Sequence, residues 1–147
     1  MSVILNGFKV DPSLAKLMLR ADWSGKRTAP KWLDHFPAHP DYEHERLPFV
    51  EFCAPEWAER ESAAMRLPRN AILLGKADVA YPPGDFDPHA GYLIGFTEMA
   101  DAAICVDLRP PTPRIIYNCL APQLVHATAF ASIADFARFY LDLHGEQ

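Results

Sequence analysis

Three short apolar segments follow one another in the second half of the chain: Tyr92-Leu93-Ile94-Gly95-Phe96, Ala103-Ile104-Cys105-Val106-Asp107-Leu108 and Arg114-Ile115-Ile116-Tyr117. Each is rich in β-branched or aromatic residues and is bounded by Gly, Pro or Asp, a pattern typical of strands. The connections between them, roughly five to six residues long, are too short for helical crossovers and suit antiparallel neighbours. Residues 92–117 therefore predict three consecutive strands of an antiparallel sheet.

Helix signals lie on both sides of these strands. Asp11-Pro12 can start a helix, because an Asp caps free N–H groups and a proline suits the first helical position; this helix is expected to fade near residues 22–25. Pro55 opens a second predicted helix over 56–66, which Leu67-Pro68 ends. Ser132, with Asp135 three residues on, caps a third helix, which Gly145 stops.

The remaining segments complete the predicted fold. Residues 71–74 and 124–127 are further candidate strands. Residues 24–50 are read as irregular because prolines recur there, although Trp32, Phe36 and Tyr42 predict that this segment packs on the body of the domain. Helices segregated from an antiparallel sheet are typical of an α+β fold. We predict a single domain over 1–147, with a mostly antiparallel sheet of about five to six strands and helices packed on it.

Composition restricts the class of protein. The chain has 147 residues, of which 50% are hydrophobic, enough for a core without disulfides or metals. No apolar run is long enough to span a bilayer, and no secretory signal is visible at the N-terminus. The three cysteines are odd in number and form no CxxC motif, which favours thiols in a reducing compartment. We therefore expect a cytoplasmic protein without membrane contact.

The charges are distributed unevenly along the chain. The net charge of −5 argues against non-specific nucleic-acid binding. Between Lys76 and Arg109 there is no Lys or Arg, and the six acidic residues there are Asp78, Asp85, Asp87, Glu98, Asp101 and Asp107. This acidic segment is either an ordinary solvated surface or a field that steers a basic partner.

Two groups of polar residues are candidate chemical sites. His35, His39 and His44 lie close together in sequence, but the prolines between them oppose the convergence that a metal site needs. Asp85, Asp87 and His89 alternate and could serve acid–base chemistry, or they could simply form turns. No nucleophile, phosphate-loop or zinc-protease motif is present. We expect no catalytic residues, no metal and no cofactor.

The second half of the chain resembles the SUKH superfamily, which includes bacterial immunity proteins and fungal regulators of cell-wall synthesis. The likeness covers roughly residues 92–143. It rests on Leu93-Ile94-Gly95-Phe96, on the segment 101–108 that ends in Asp-Leu, on Arg114-Ile115-Ile116-Tyr117, and on Ala129-Phe130 ahead of a helix that carries Phe136. The family's usual Gly-Gly turn and its tryptophan before the last helix are missing here. The resemblance implies a compact α+β domain that binds protein.

The predicted function is that of an immunity protein, which neutralises a cognate bacterial toxin by direct binding, and a basic toxin domain is the partner that the acidic segment would suit. The expected partner-binding residues are Asp78, Tyr81, Asp85, Phe86, Asp87, Glu98 and Asp101. For Tyr81, Phe86 and the nearby Tyr92, ordinary core packing is the alternative role. The alternative functions are a regulatory or scaffold module that binds an endogenous protein and a small metal-dependent hydrolase.

Overall fold

The computed structural model of the chain describes residues 2–36, 49–67, 86–97, 103–119 and 125–146. These residues form eight strands and four helices, and the α+β prediction is confirmed. In chain order the elements are β1 (Ile4–Leu5), β2 (Phe8–Lys9), α1 (Pro12–Met18), β3 (Gly25–Arg27), α2 (Pro30–Asp34), β4 (Val50–Phe52), α3 (Pro55–Met65), β5 (Gly91–Thr97), β6 (Ala103–Asp107), β7 (Arg114–Cys119), β8 (Val125–Phe130) and α4 (Ile133–His144).

Six of these strands form one antiparallel sheet in the order β3-β4-β5-β6-β7-β8, and β1 pairs with β2 in a separate hairpin. Each strand of the larger sheet lies beside its neighbour in sequence, and for β5, β6 and β7 this antiparallel order was predicted from their short connections. At the centre, Cys105 lies opposite Leu93 on one side and Ile116 on the other. The predicted strand at 71–74 lies outside the described residues.

Helices cover both faces of this sheet. Every residue of β6 is buried, and successive residues of a strand point to opposite faces, so both faces of β6 are covered. On one face, the Met65 sulfur of α3 lies 3.7 Å from the Cys105 sulfur. On the other face, Phe52 stacks on Trp23 at 4.6 Å between ring centroids and meets Phe136 of α4 edge-on. The sheet is therefore the middle layer of the domain.

A bulge in β5 ties the sheet to α3. The register with β6 shifts between Leu93 and Gly95. There the Leu93 N–H donates to the buried Ser62 hydroxyl of α3 at 2.9 Å. A Cβ at Gly95 would lie 2.5 Å from the Glu51 carbonyl oxygen of β4, so only glycine permits this approach between the strands.

The helix ends follow the predicted capping chemistry. The Asp11 carboxylate accepts from the Ser13 N–H at 2.9 Å at the start of α1. The Ser132 hydroxyl accepts from the Asp135 N–H at 3.0 Å at the start of α4, and Gly145 with φ 72° ends that helix. Helix α1 ends at Met18, before the predicted limit near residues 22–25.

The reading of residues 24–50 as irregular was partly wrong. This region contributes β3, α2 and the first residue of β4. Pro30 occupies the first turn of α2, a position at which a proline suits a helix instead of breaking it. The predicted packing on the domain body is confirmed for Trp32 and Phe36, which are both fully buried. Tyr42 lies outside the described residues.

Candidate functional site

The predicted partner-binding segment is described only in part. Asp78, Tyr81, Asp85, Glu98 and Asp101 lie outside the described residues. Phe86 and Asp87 are described, and they differ in environment. Phe86 is a core residue with 5% of its surface exposed, and its ring lies 2.9 Å from the position a Cβ would take on Gly91. The structure therefore favours the core-packing role for Phe86, and likewise for Tyr92, which is 1% exposed.

Asp87 is exposed and forms a turn. Its carboxylate accepts from the backbone N–H of His89 at 2.8 Å. This is the local hydrogen bond that makes Asp common in turns. The contact engages the backbone of His89 and not its imidazole, so it fits the turn interpretation of this pair.

One acidic residue of the acidic segment, Asp107, is buried. Asp107 is 0% exposed and accepts from Arg109 Nε and Nη2, each at 2.9 Å, while Arg114 Nη2 lies 3.3 Å away. Burial acts to raise the pKa of Asp107, but the hydrogen bonds from Arg109 and the charges of both arginines outweigh it and hold the pKa below its usual range. Asp107 therefore fixes the end of β6 and adds no charge to the surface.

A polar cluster joins the N-terminal segment to α4. The Tyr140 hydroxyl donates to Asp22 Oδ1 at 2.9 Å and accepts from Arg27 Nη2 at 3.2 Å. Arg20 donates to both oxygens of Asp22 at 2.9 Å and to the Gly145 carbonyl at 2.6 Å. The hydrogen bond from Arg20 is the main reason that the pKa of Asp22 falls to about 2. Because these side chains are hydrogen-bonded to one another, the cluster serves to hold the N-terminal segment against α4.

The described thiols and histidines do not converge on a reactive centre. Burial raises the pKa of Cys53 to about 12 and also raises that of Cys105, so both thiols are poor nucleophiles. Within the described ranges, no group of three or more His, Cys, Asp or Glu residues could hold a metal ion. His35 is described, whereas His39 and His44 lie outside.

A surface pocket of about 330 Å³ lies where α4 meets β8 and the end of α2. We call it the α4 pocket, and its lining residues are His35, Ala129, Phe130, Ala131, Asp135, Arg138, Phe139 and Asp142. Aromatic rings form one side. The His35 ring stacks on Phe130 with centroids 4.3 Å apart and meets the Phe139 ring edge-on at 4.4 Å.

The rim of the α4 pocket is charged and acidic on balance. Asp135 and Asp142 contribute two carboxylates, and Arg138 between them contributes one guanidinium, which leaves a formal rim charge of −1. The Arg138 and Asp135 side chains are 71% and 48% exposed, and their closest N–O distance is 3.5 Å. An exposed pair with this geometry contributes little, so Asp135 and Arg138 can change partners.

The sequence interpretation overlooked this pocket, although one signal was present. Asp135, Arg138 and Asp142 follow a spacing of three and four residues, which places them on one face of a helix. The sequence analysis used Asp135 only as a capping residue and made no prediction for Arg138 or Asp142.

Comparisons of the chain with protein-family models, with curated proteins and with solved structures found no match.

No helix in the described ranges is both long enough and apolar enough to cross a membrane.

Proposed function

We propose that this chain is a protein-binding domain for a basic partner, and that it acts as an immunity protein of the SUKH type by binding a cognate toxin directly. The observation that carries the proposal is the α4 pocket, with its aromatic side and acidic rim. Aromatic surface supplies binding energy at protein interfaces, and an acidic rim raises the association rate with a basic partner.

The positions of the SUKH-like segments support this proposal. They form β5, β6, β7 and the junction between β8 and α4. These elements are neighbours in the fold, and the last of them contains much of the α4 pocket. The resemblance and the pocket therefore concern the same region of the molecule.

The described polar groups differ in how firmly they are held, and this difference supports the proposal. Asp22 and Asp107 are held by arginines, and Cys53 and Cys105 are buried in the core. In contrast, the charges of the α4 pocket are exposed and weakly paired. Exposed and weakly paired charges of this kind are available to bind another molecule.

The test begins with a pull-down of the tagged protein from lysate of its native cells, at low and then at high salt. We expect capture of a basic protein that is released as salt rises, because screening weakens exposed charge pairs. The captured protein is then purified, its affinity is measured, and it is produced in cells with and without this chain. Growth arrest that co-production relieves would establish the immunity role.

Matched variants locate the binding surface. Asp135→Asn with Asp142→Asn should weaken the complex and reduce the salt dependence of its Kd. Glu56→Gln with Glu61→Gln is the control, since it removes the same charge from α3 on the opposite face of the sheet. A harmless endogenous partner would favour the regulatory-module alternative, and the lack of any salt-sensitive partner would refute a basic protein ligand.

A charge-reversal variant tests the acidic segment separately. Asp85→Lys with Asp87→Lys should weaken the complex and flatten its salt dependence if that segment also contacts the partner. An unchanged Kd in this variant, together with a weakened Kd in the Asp135 and Asp142 variant, would confine the interface to the α4 pocket.

A further inference from the structure

Hydrogen-bond acceptors outnumber donors among the side chains of the α4 pocket. Asp135 and Asp142 present carboxylates, which only accept when ionised. His35 Nδ1 lies 3.3 Å from the Ala129 carbonyl oxygen, and since a carbonyl cannot donate, Nδ1 is the donor of that contact. The second ring nitrogen of His35 is then an acceptor in the neutral imidazole. The pocket suits a ligand that brings several N–H donors and a positive charge.

Arg138 is the cationic side chain of the lining, and it is a poor hydrogen-bond donor to the carboxylates of the pocket. Its side chain is 71% exposed, and its nearest approach to Asp135 is 3.5 Å, longer than a good charge-assisted hydrogen bond. A cation delivered by a partner can therefore replace Arg138 at the carboxylate at small cost.

The aromatic side of the pocket favours an arginine side chain of a partner over a lysine side chain. The His35 and Phe139 rings both line it. A guanidinium is planar, stacks on aromatic rings and presents five donors in a fixed fork, whereas an ammonium is a compact and strongly hydrated point charge. The volume of about 330 Å³ lies at the small end of ligand pockets, which are ~300–1,000 Å³.

We infer that the α4 pocket takes an arginine side chain of the partner protein, in preference to lysine. The guanidinium bridges Asp135 and Asp142 and lies against the His35 and Phe139 rings. The inference rests on the proposed function, because it names the chemistry of the partner at the same site.

The first experiment needs no partner. The amide spectrum of the ¹⁵N-labelled full chain is titrated with the amide of N-acetyl-arginine. The amides of N-acetyl-lysine, N-acetyl-citrulline and N-acetyl-leucine serve as comparison probes. The expected result is saturable shifts of the Ala131, Asp135 and Arg138 amides with the arginine probe, with a Kd on the order of millimolar for so small a ligand. Lysine should bind at least about fivefold more weakly, and citrulline, which lacks the charge, should give no saturable shift.

Variants then assign the contacts. Asp135→Asn with Asp142→Asn should weaken arginine binding about tenfold or more, because charge-assisted hydrogen bonds are lost. Arg138→Gln should strengthen it by removing the competing cation. Phe139→Leu should keep arginine binding but reduce its advantage over lysine. Glu56→Gln with Glu61→Gln should change nothing, and a dispersed amide spectrum shows that each variant is folded.

Three results would overturn the inference: no saturable shift with arginine, equal affinity for arginine and lysine, or arginine affinity unchanged in the Asp135 and Asp142 variant. Stronger binding of the leucine probe would make the pocket a site for apolar anchors instead. These results are distinguishable from failure of the proposed function. If the arginine probe binds but no protein partner is captured, the pocket is an arginine site and the proposed protein-binding function is refuted.

Discussion

The indole Nε1–H of Trp32 donates to Nε2 of His144 at 2.9 Å, and the two rings stack with centroids 5.8 Å apart. Trp32 is fully buried in α2, and His144 is the last residue of α4. Since Nε2 must offer a lone pair to accept this bond, the proton of the neutral ring lies on Nδ1. A protonated imidazole cannot accept the bond, so the contact between these helices depends on pH.

The stability of the fold should therefore fall at mildly acidic pH. Burial lowers the pKa of His144 in the folded chain, Arg27 and Arg20 lower it further, and Asp22 opposes them. The unfolded chain keeps the ordinary value of 6.5, so the unfolded state binds protons more readily. The contribution of His144 to the free energy of unfolding is complete above about pH 6.5 and decreases as pH falls below it. Urea unfolding at pH 7.5 and 5.5 measures this change.

The control for this prediction is His144→Gln, which removes the titrating ring and leaves an amide oxygen that can accept from Trp32. Its stability should depend less on pH between these two values than that of the natural chain. An identical slope in both proteins would contradict the assignment to His144. Asp22 does not interfere, because its pKa of about 2 against an ordinary 3.8 places its contribution at lower pH.

Tyr140→Phe should destabilise the fold by ~1–3 kcal/mol, because removal of the hydroxyl takes a donor from the Asp22 carboxylate. Tyr140 is fully buried, so water cannot readily replace its hydroxyl. Urea unfolding at pH 7.5 measures the change. A double-mutant cycle with Asp22→Asn separates the loss of the hydrogen bond from the loss of packing. If the two substitutions change the free energy of unfolding additively, the two residues are not coupled.

Ser62→Ala should cost ~1–3 kcal/mol, because it leaves the Leu93 N–H at the β5 bulge without its acceptor inside the protein. Ser13→Ala is the matched control in another helix, since the Ser13 hydroxyl is exposed and donates locally to Asp11. We expect the control to stay within ~0.5 kcal/mol of the natural chain. Equal unfolding midpoints for the two variants would mean that the bulge does not depend on Ser62.

Gly91→Ala should destabilise the fold strongly, by ~3 kcal/mol or more, because overpacking a rigid backbone contact cannot be relieved cheaply. The added Cβ would lie 2.1 Å from the Val106 carbonyl oxygen. Gly145→Ala is the comparison, since φ is +72° there but the space around it is open. That variant should lose only ~1–3 kcal/mol, because φ 72° with ψ 169° is a backbone conformation that essentially only glycine adopts. Thermal unfolding of both variants checks the order, and a Gly91 variant as stable as the Gly145 variant would contradict it.

The elements that the sequence predicted are those whose signals are local. Strands β5, β6 and β7 contain three or more consecutive apolar residues each, and α1 and α4 begin with capping residues that bond within the first turn. Such patterns do not depend on the rest of the fold. The hairpin of β1 and β2 was missed although Asn6 and Gly7 have φ of 54° and 82°, the conformation that Asn-Gly favours in tight hairpins. Its strands of two residues are too short to show an alternating pattern.

Strands β3 and β4 could not be predicted from local pattern. Each has three residues, and β4 is positioned by pairing with β5, where Phe52 lies opposite Gly95. Such a contact between distant segments decides the structure of a short piece whose own preference is weak. Helix α2 was missed because the proline at its start was counted as a helix breaker.

The candidate site shows the same division. The spacing of Asp135, Arg138 and Asp142 was readable from the sequence, because it depends only on the period of α4. The opposite side of the α4 pocket was not readable, since His35 is separated by 94 residues from Ala129, whose carbonyl it contacts. Asp107 was counted as surface charge although its arginine partners lie only two and seven residues away.

The contacts between the N-terminal segment and α4 constrain the order in which the chain can fold during synthesis. Arg20 bonds to Gly145, Asp22 to Tyr140 and Trp32 to His144, across separations of 125, 118 and 112 residues. During synthesis, which proceeds from the N-terminus at ~5–20 residues per second, the segment that is made early has no partner for these side chains until the last turns of α4 leave the ribosome. In the nascent chain these three hydrogen bonds can therefore form only after α4 has been made, so the N-terminal segment is fixed against α4 late in folding.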